Sequence, residues 1–270
     1  MTTPAEPGTS APKVLVERRG HVLVVTLNRP QARNAVDQDV CLQVGDAVEQ
    51  AEHDPEIRAL VLTGAGDAAF SAGADLKALS RGERILPEGK EHWSFAGFVN
   101  HVTSKPTIAA VNGAALGGGT ELALSCDLVV AVETATFGLP EVKRGLIAAA
   151  GGTFRLVSQL PPKVAMHALL TGEPLTAQEA LRWGLVNQVV PAGTVLDRAV
   201  ELAEQIAANA PLAVQASKRI AYGIENGTRP DETRLWALTE REMAAVATSE
   251  DAKEGPRAFA EKRAPQWQAR

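Results

Sequence analysis

Three consecutive glycines, Gly117-Gly118-Gly119, separate an apolar strand-like run, Thr107 to Val111, from a short apolar segment that opens Thr120-Glu121-Leu122. Glycines at the start of a helix leave bare backbone N–H groups, because the first turn has no intrahelical acceptors and the dipole is positive there. Such a stretch supplies half of an oxyanion hole. Glu121 falls in the first helical turn and Glu141 comes twenty residues later, directly after Pro140. Two carboxylates converging on a carbonyl polarised by those glycines divide the work of a base and a proton donor. Taken singly, Glu121 reads equally well as a first-turn glutamate gaining about 0.3–1 kcal/mol from the dipole, and Glu141 as a solvated turn residue. Together with the glycines they point to a site that activates a carbonyl.

The rest of the chain limits the class of protein. With 270 residues, 45% of them hydrophobic and 22% charged, it can bury a large core. A formal charge of −5 offers no general attraction to nucleic acid or anionic lipid. Cys41 and Cys126 lie in apolar segments and read as buried free thiols, which fits a cytoplasmic protein. No apolar run approaches the roughly 18 residues of a membrane span, and the start lacks the regions of a signal peptide. The five histidines and two cysteines show no metal-ligand spacing, so no metal is expected.

In chain order, residues 1–12 read as a disordered Thr/Pro/Ala-rich tail. A β-hairpin follows (Val14 to Arg18, Val22 to Leu27), then a helix from Val36 to His53 with Gly45 as its weak point, and a strand from Ala59 to Thr63. Gly64 to Gly73 reads as a loop, Ala74 to Leu79 as a short helix, Ser80 to Lys90 as a polar lid, and Glu91 to Ser104 as a helix. Another strand-helix-strand passage, with Leu128 to Val132 as its second strand, suggests a spiral of β-β-α units over 13–200. Helical patterns dominate beyond Gly151. With little sheet left to cover, residues 201–270 are expected to pack on a neighbouring subunit.

Two local motifs suggest other chemistry. Gly64-Ala65-Gly66-Asp67-Ala68-Ala69 satisfies a dinucleotide fingerprint with Glu83 at the ribose distance, but Phe70, Ser71 and Gly73 stand where a helix should open. Ala69-Phe70-Ser71-Ala72-Gly73 is similar to a nucleophile elbow, with His101 or His167 as base, yet it lacks the acidic partner and loop context.

The assembled blocks resemble the enoyl-CoA hydratase/isomerase (crotonase) superfamily from about Lys13 to the C-terminus. They are Asn28-Arg29-Pro30, Phe70 to Leu76, Lys105 to Gly113, Gly117 to Glu121, Pro140-Glu141, Gly151-Gly152, Glu250 to Gly255 and Phe259 to Arg263. The resemblance implies an α/β crotonase-like spiral of β-β-α repeats with a helical C-terminal trimerisation region, forming a homotrimer or hexamer. It implies an oxyanion hole from the N–H groups of Ala74 and Gly118. Coenzyme A would lie on Ala32, Arg33, Ala72, Asp75, Leu76 and Lys77, and would meet Phe259 and Lys262 of an adjacent subunit. The expected reaction is hydration of a 2-enoyl-CoA by Glu121 and Glu141, with no cofactor beyond the coenzyme A of the substrate.

Within the superfamily, hydratases keep both glutamates while many relatives keep one or none. Ala114 and Ala148 stand where many relatives have an aromatic residue and a proline, which alters the expected acyl pocket. The segment Leu170 to Gly184 and the ending Pro265-Gln266-Trp267 are similar to carnitinyl-CoA dehydratases. A functionalised acyl group, a Δ3-Δ2 isomerisation and simple acyl-CoA binding are therefore the alternatives to fatty enoyl hydration.

Overall fold

The computed structural model describes residues 11–270, so all but the last two residues of the expected 1–12 tail lie outside it. Apolar strands build a six-stranded sheet from β1 (Val14–Arg19), β2 (Val22–Leu27), β3 (Ala59–Gly64), β5 (Thr107–Val111), β7 (Leu128–Val132) and β10 (Gln188–Val190), in the order β1-β2-β3-β5-β7-β10. Only the β1–β2 hairpin is antiparallel. The inner strands are apolar at nearly every position because both faces are covered, as parallel sheets require. Leu23, Val25, Leu60, Leu62, Ala109 and Val111 face the main core with α1 (Gln38–His53). The alternate residues Val22, Val24, Ala59, Val61, Ile108, Ala110 and Val130 face Val195, Ala199, Val200 and Ala203 of α7 (Val195–Ala207). The sequence leaves little sheet for the late helices to cover; α7 takes that part, its buried stripe closing the second face.

Three inner strands of the large sheet, β3, β5 and β7, are each followed by a short strand that steps into a second sheet. These are β4 (Ala69–Ser71), β6 (Ala114–Leu116) and β8 (Thr136–Gly138), parallel to one another, with β9 (Leu175–Thr176) antiparallel at the edge. The chain returns through α2 (Leu76–Ser80), α3 (Gly118–Ser125), or α4 (Gly152–Gln159), α5 (Pro162–Thr171) and α6 (Ala177–Trp183). This is the α/β spiral of β-β-α repeats expected from the sequence. The loop expected over Gly64 to Gly73 contains β4, which at three residues is too short to announce itself by alternation.

The helix expected over Glu91 to Ser104 is absent. Two short 3-10 turns, Glu91–Trp93 and Phe95–Gly97, replace it, with Ser94 (φ 60°) and Ala96 (φ 57°) in the left-handed half of backbone space. Buried Trp93, Ala96 and Gly97 have helical spacing, but they press on α1 instead. A side chain at Gly45 would collide with the Trp93 ring, and one at Gly97 with the Cys41 carbonyl.

The chain ends in α8 (Pro211–Ala221), α9 (Pro230–Ala247) and α10 (Glu250–Ala260). Residues 222–226 form a turn after α8. The largely buried side chain of Lys218 anchors α8 through the Asp127 carboxylate at 2.7 Å and the Lys105 carbonyl at 2.7 Å. Arg155 of α4, also buried, holds α9 by a bidentate pair with Glu232 (3.1 and 2.6 Å), while Thr239 is the only buried residue of α9. α10 lies backbone-to-backbone on the turn Pro140–Arg144, where a Cβ at Gly255 would strike the Arg144 carbonyl. No helix among the described residues is long and apolar enough to cross a membrane.

Candidate active site

The three parallel strands of the small sheet end side by side, and each delivers one part of a site. β4 leads into Ala74, β6 into Gly117 and α3, and β8 into Pro140-Glu141. Thr120 fastens the last two together: its hydroxyl, with one proton to donate, lies 2.7 Å from the Ala115 carbonyl and 2.9 Å from the Gly138 carbonyl, and it accepts from Gly138 N (2.9 Å).

Ala74 bridges to Val36 in parallel fashion: Val36 N donates to Gly73 O, and Asp75 N donates to Val36 O, each at 2.9 Å. That pairing leaves the intervening Ala74 N–H turned away from residue 36, since successive peptide groups of an extended chain point to opposite sides. Gly73 (φ +86°) approaches α3 so closely that a Cβ there would sit 2.9 Å from Gly118 N. Neither Ala74 N nor Gly118 N has an acceptor among the described residues. Two unpaired donors beside a helix N-terminus form a receptor for an oxyanion.

Glu121 is buried, and its Oε1 accepts from Ala150 N (2.7 Å) and Gly152 N (2.9 Å). Gly152 is small of necessity: a Cβ there would lie 2.9 Å from Glu121 Oε1. Burial, reinforced by the neighbouring Glu141 charge, pushes the Glu121 carboxyl up to about 8 despite those two N–H bonds. Glu141 is half-buried and its Oε2 has no partner, so desolvation lifts this carboxyl to about 7. Its Oε1 leans on Gly117, where a Cβ would stand 3.0 Å away. Near neutral pH the pair holds roughly one proton and titrates as a unit.

The residues expected to hold coenzyme A fall into two groups. Ala32 and Arg33 lie beside the Ala72–Lys77 segment, the Arg33 carbonyl accepting from Ala72 N at 2.9 Å; Arg33, Ala72, Leu76 and Lys77 are exposed. Asp75 is occupied otherwise, capping α2 through Lys77 N and Ala78 N and pairing with Arg29 at 2.7 Å. Phe259 lies under the Arg144 guanidinium, 4.0 Å from ring centre to Cζ, on the turn that carries Glu141, and Lys262 is exposed just beyond α10.

The rival motifs acquire plain structural roles. Ser71 is fully buried and its hydroxyl donates to the Asn34 carbonyl at 2.9 Å. His101 stacks on Trp93, and His167 lies exposed on α5. β3 is followed by a loop and β4, with no helix, and Glu83 pairs with Arg81 on the surface.

Three contributors escaped the sequence reading: the Ala150 and Gly152 N–H groups, the Thr120 staple and Phe95. Thr120 adjoins the glycines and signalled itself only by position. Phe95 lies in the segment misread as helix, yet its ring packs on Gly118, where any Cβ would collide with it.

The model of the family described as enoyl-CoA hydratase/isomerase matches residues 17–270. The chain belongs to that family. Among curated relatives, the carnitinyl-CoA dehydratase of Salmonella typhi is 44% identical over 263 residues, covering 94% of this chain and 97% of its own. A crystal structure of carnitinyl-CoA hydratase from Mycobacterium avium is 61% identical with a TM-score of 0.96, covering 97% of this chain and 100% of its own. The enoyl-CoA hydratase of Mycobacterium tuberculosis H37Rv is 47% identical with a TM-score of 0.75, at 96% and 100% coverage. As a member of the enoyl-CoA hydratase/isomerase family the chain is an enzyme, and the paired glutamates and unpaired N–H groups are its candidate machinery.

Proposed function

We propose that this enzyme interconverts a 3-hydroxyacyl-CoA thioester and the corresponding 2-enoyl-CoA. The observation that carries the reading is the juxtaposition of two carboxylates held near neutral pKa with two N–H donors that lack acceptors. The thioester oxygen accepts from Ala74 N and Gly118 N. In the dehydration direction the unpartnered Oε2 of Glu141 removes a proton from C2, and the electron pair moves into an enolate whose oxygen those N–H groups stabilise. Glu121, protonated, gives its proton to the hydroxyl on C3; the C–O bond breaks and water leaves. Hydration runs the same steps in reverse. Loss of one such oxyanion donor typically costs about 10²–10³ in rate.

The acyl group is the finer question. Carnitinyl-CoA is itself a 3-hydroxyacyl thioester, and the higher identity and TM-score of the M. avium carnitinyl-CoA hydratase over the M. tuberculosis enoyl-CoA hydratase support it. Simple 2-enoyl-CoA hydration is the second reading, favoured by the retention of both glutamates. Coenzyme A is placed on Ala32, Arg33 and the Ala72–Lys77 segment, with Phe259 and Lys262 closing over it from a neighbouring subunit. Turnover of crotonyl-CoA, longer 2-enoyl-CoAs and carnitinyl-CoA, followed by enoyl-thioester absorbance, separates the two. No change with any thioester rejects both.

Assembly as a trimer or a dimer of trimers belongs to the same proposal. α9 runs 18 residues with one buried position, and Leu235, Leu238 and Met243 stay 37, 40 and 50% exposed along it. A helix this poorly covered gains its stability from tertiary packing elsewhere. Light scattering at low micromolar concentration should give at least three times 28.4 kDa; an active monomer refutes the assembly.

A further inference from the structure

Phe95 occupies a position that its own backbone resists. It stands between Ser94 (φ 60°, ψ −158°) and Ala96 (φ 57°, ψ 16°). The first conformation is almost reserved for glycine, and residues held this way persist only where surroundings over-determine them. The surroundings here are visible. Trp93 and Gly97 seat against α1 at Gly45, and the Cys41 thiol donates to the Ser94 carbonyl at 3.5 Å. This seat aims the Phe95 ring at the first residue of α3, so tightly that Gly118 admits no side chain. The ring is half-buried, packed in part on the core, and its edge lies against Gly118, the residue whose N–H is unpaired.

We propose that Phe95 is a specificity-determining wall over the oxyanion-binding N–H of Gly118, which excludes water and bulk from the space next to the thioester carbonyl and confines the enzyme to acyl groups unbranched at C2. The inference rests on the proposed thioester site. An N–H shielded by an aromatic ring works at lower effective dielectric than one open to water, which strengthens its hold on a developing oxyanion. The atom of the acyl chain nearest that carbonyl is C2. A ring fixed by a strained, riveted segment yields less than one on a free loop, so a methyl branch at C2 meets a wall that does not move aside.

The test compares butyryl-CoA with 2-methylbutyryl-CoA, saturated thioesters that differ only in a methyl branch at C2. They are titrated calorimetrically into the wild-type protein, Phe95→Ala and the milder truncation Phe95→Leu. Wild type should bind butyryl-CoA at least about tenfold tighter, and Phe95→Ala should reduce that ratio to within about threefold, with Phe95→Leu between them. Circular dichroism confirms that the variants fold. Should Phe95→Ala misfold, Phe95→Leu carries the comparison, its ratio expected to fall at least about twofold. An unchanged ratio in a folded variant, or a wild-type enzyme indifferent to the branch, overturns the wall. If neither thioester binds wild type, the thioester site itself is refuted and the wall with it. Crotonyl-CoA turnover in parallel distinguishes the two: an active wild type with an unchanged ratio sinks the wall alone.

Discussion

Replacing Glu121 by glutamine should make the protein more stable and less active, with a pH dependence that identifies the cause. The amide keeps Oε1 as acceptor for Ala150 N and Gly152 N, so the geometry at 2.7 and 2.9 Å survives. What disappears is the burial of a charge. Raising this carboxyl from 4.5 to about 8 corresponds to about 5 kcal/mol against the charged form once the pH exceeds the folded value. The fold takes up a proton that the unfolded chain releases above about 4.5, so wild-type stability falls as pH rises from there to about 8 and levels off above. Glu121→Gln escapes that loss. At about 2–4 °C per kcal/mol for a chain of this size, its thermal midpoint should match wild type near pH 5 and lie on the order of 10 °C higher at pH 9. Turnover should drop by about 10²–10⁴, the usual contribution of a general acid or base. Differential scanning fluorimetry from pH 5 to 9 reads the first effect and steady-state kinetics the second. A midpoint difference that is flat with pH refutes the buried-charge account, and near wild-type turnover removes Glu121 from the chemistry.

Glu141→Gln should lose about 10²–10⁴ in turnover while the affinity for butyryl-CoA stays within about threefold; loss in this variant but not in Glu121→Gln would indicate double-bond isomerisation instead. The pH profile of kcat/KM for dehydration should be bell-shaped. Activity falls below about 7 as Glu141 becomes protonated and falls above about 8 as Glu121 loses its proton; a plateau from pH 5 to 9 contradicts the pair. Arg155→Met should lower stability by about 1–3 kcal/mol in urea titrations, because the half-buried Glu232 loses its bidentate partner and keeps only Arg229 and the Trp236 N–H, while the Val99 carbonyl loses the Arg155 donor. Adding Glu232→Leu to that variant should recover part of the loss; no recovery would mean that the charge pair is not what holds α9.

Much of the candidate site was legible because its residues lie close together in the chain. The glycines, the first-turn Glu121 and Pro140-Glu141 sit within one strand-helix-strand passage, and the backbone demands at Gly117 and Gly118 select residues that can be read off the chain. The strand Thr107–Val111 matched the structure to the residue, since continuous burial of a central strand writes itself as an unbroken apolar run. The small sheet was invisible for the opposite reason: Ala69–Ser71, Ala114–Leu116 and Thr136–Gly138 are too short to show a period. The segment around Phe95 misled because Trp93, Ala96 and Gly97 carry helical spacing while their burial comes from α1. Non-glycine residues with positive φ leave no mark in a sequence, as Ser94 and Ala96 show. The α7 stripe was legible as a helix, but its target, the second face of a sheet assembled from residues up to 190, was not.

The way the two sheets divide the residues has a consequence for how the molecule loosens. The six-stranded sheet has registers up to six pairs long and apolar cover on both faces, whereas the strands that deliver Ala74, Gly118 and Glu141 share two pairs each with their neighbours. Such ladders belong to the low end of local opening free energies. The small sheet and the helices leaving it should therefore form a cooperative unit that opens before the large one. In rising denaturant, amides of residues 69–71 and 114–118 would exchange with solvent while those of β3 and β5 stay protected. Inactivation would then precede the loss of far-ultraviolet dichroism, and a ligand bridging Ala74 and Gly118 would draw the two transitions together.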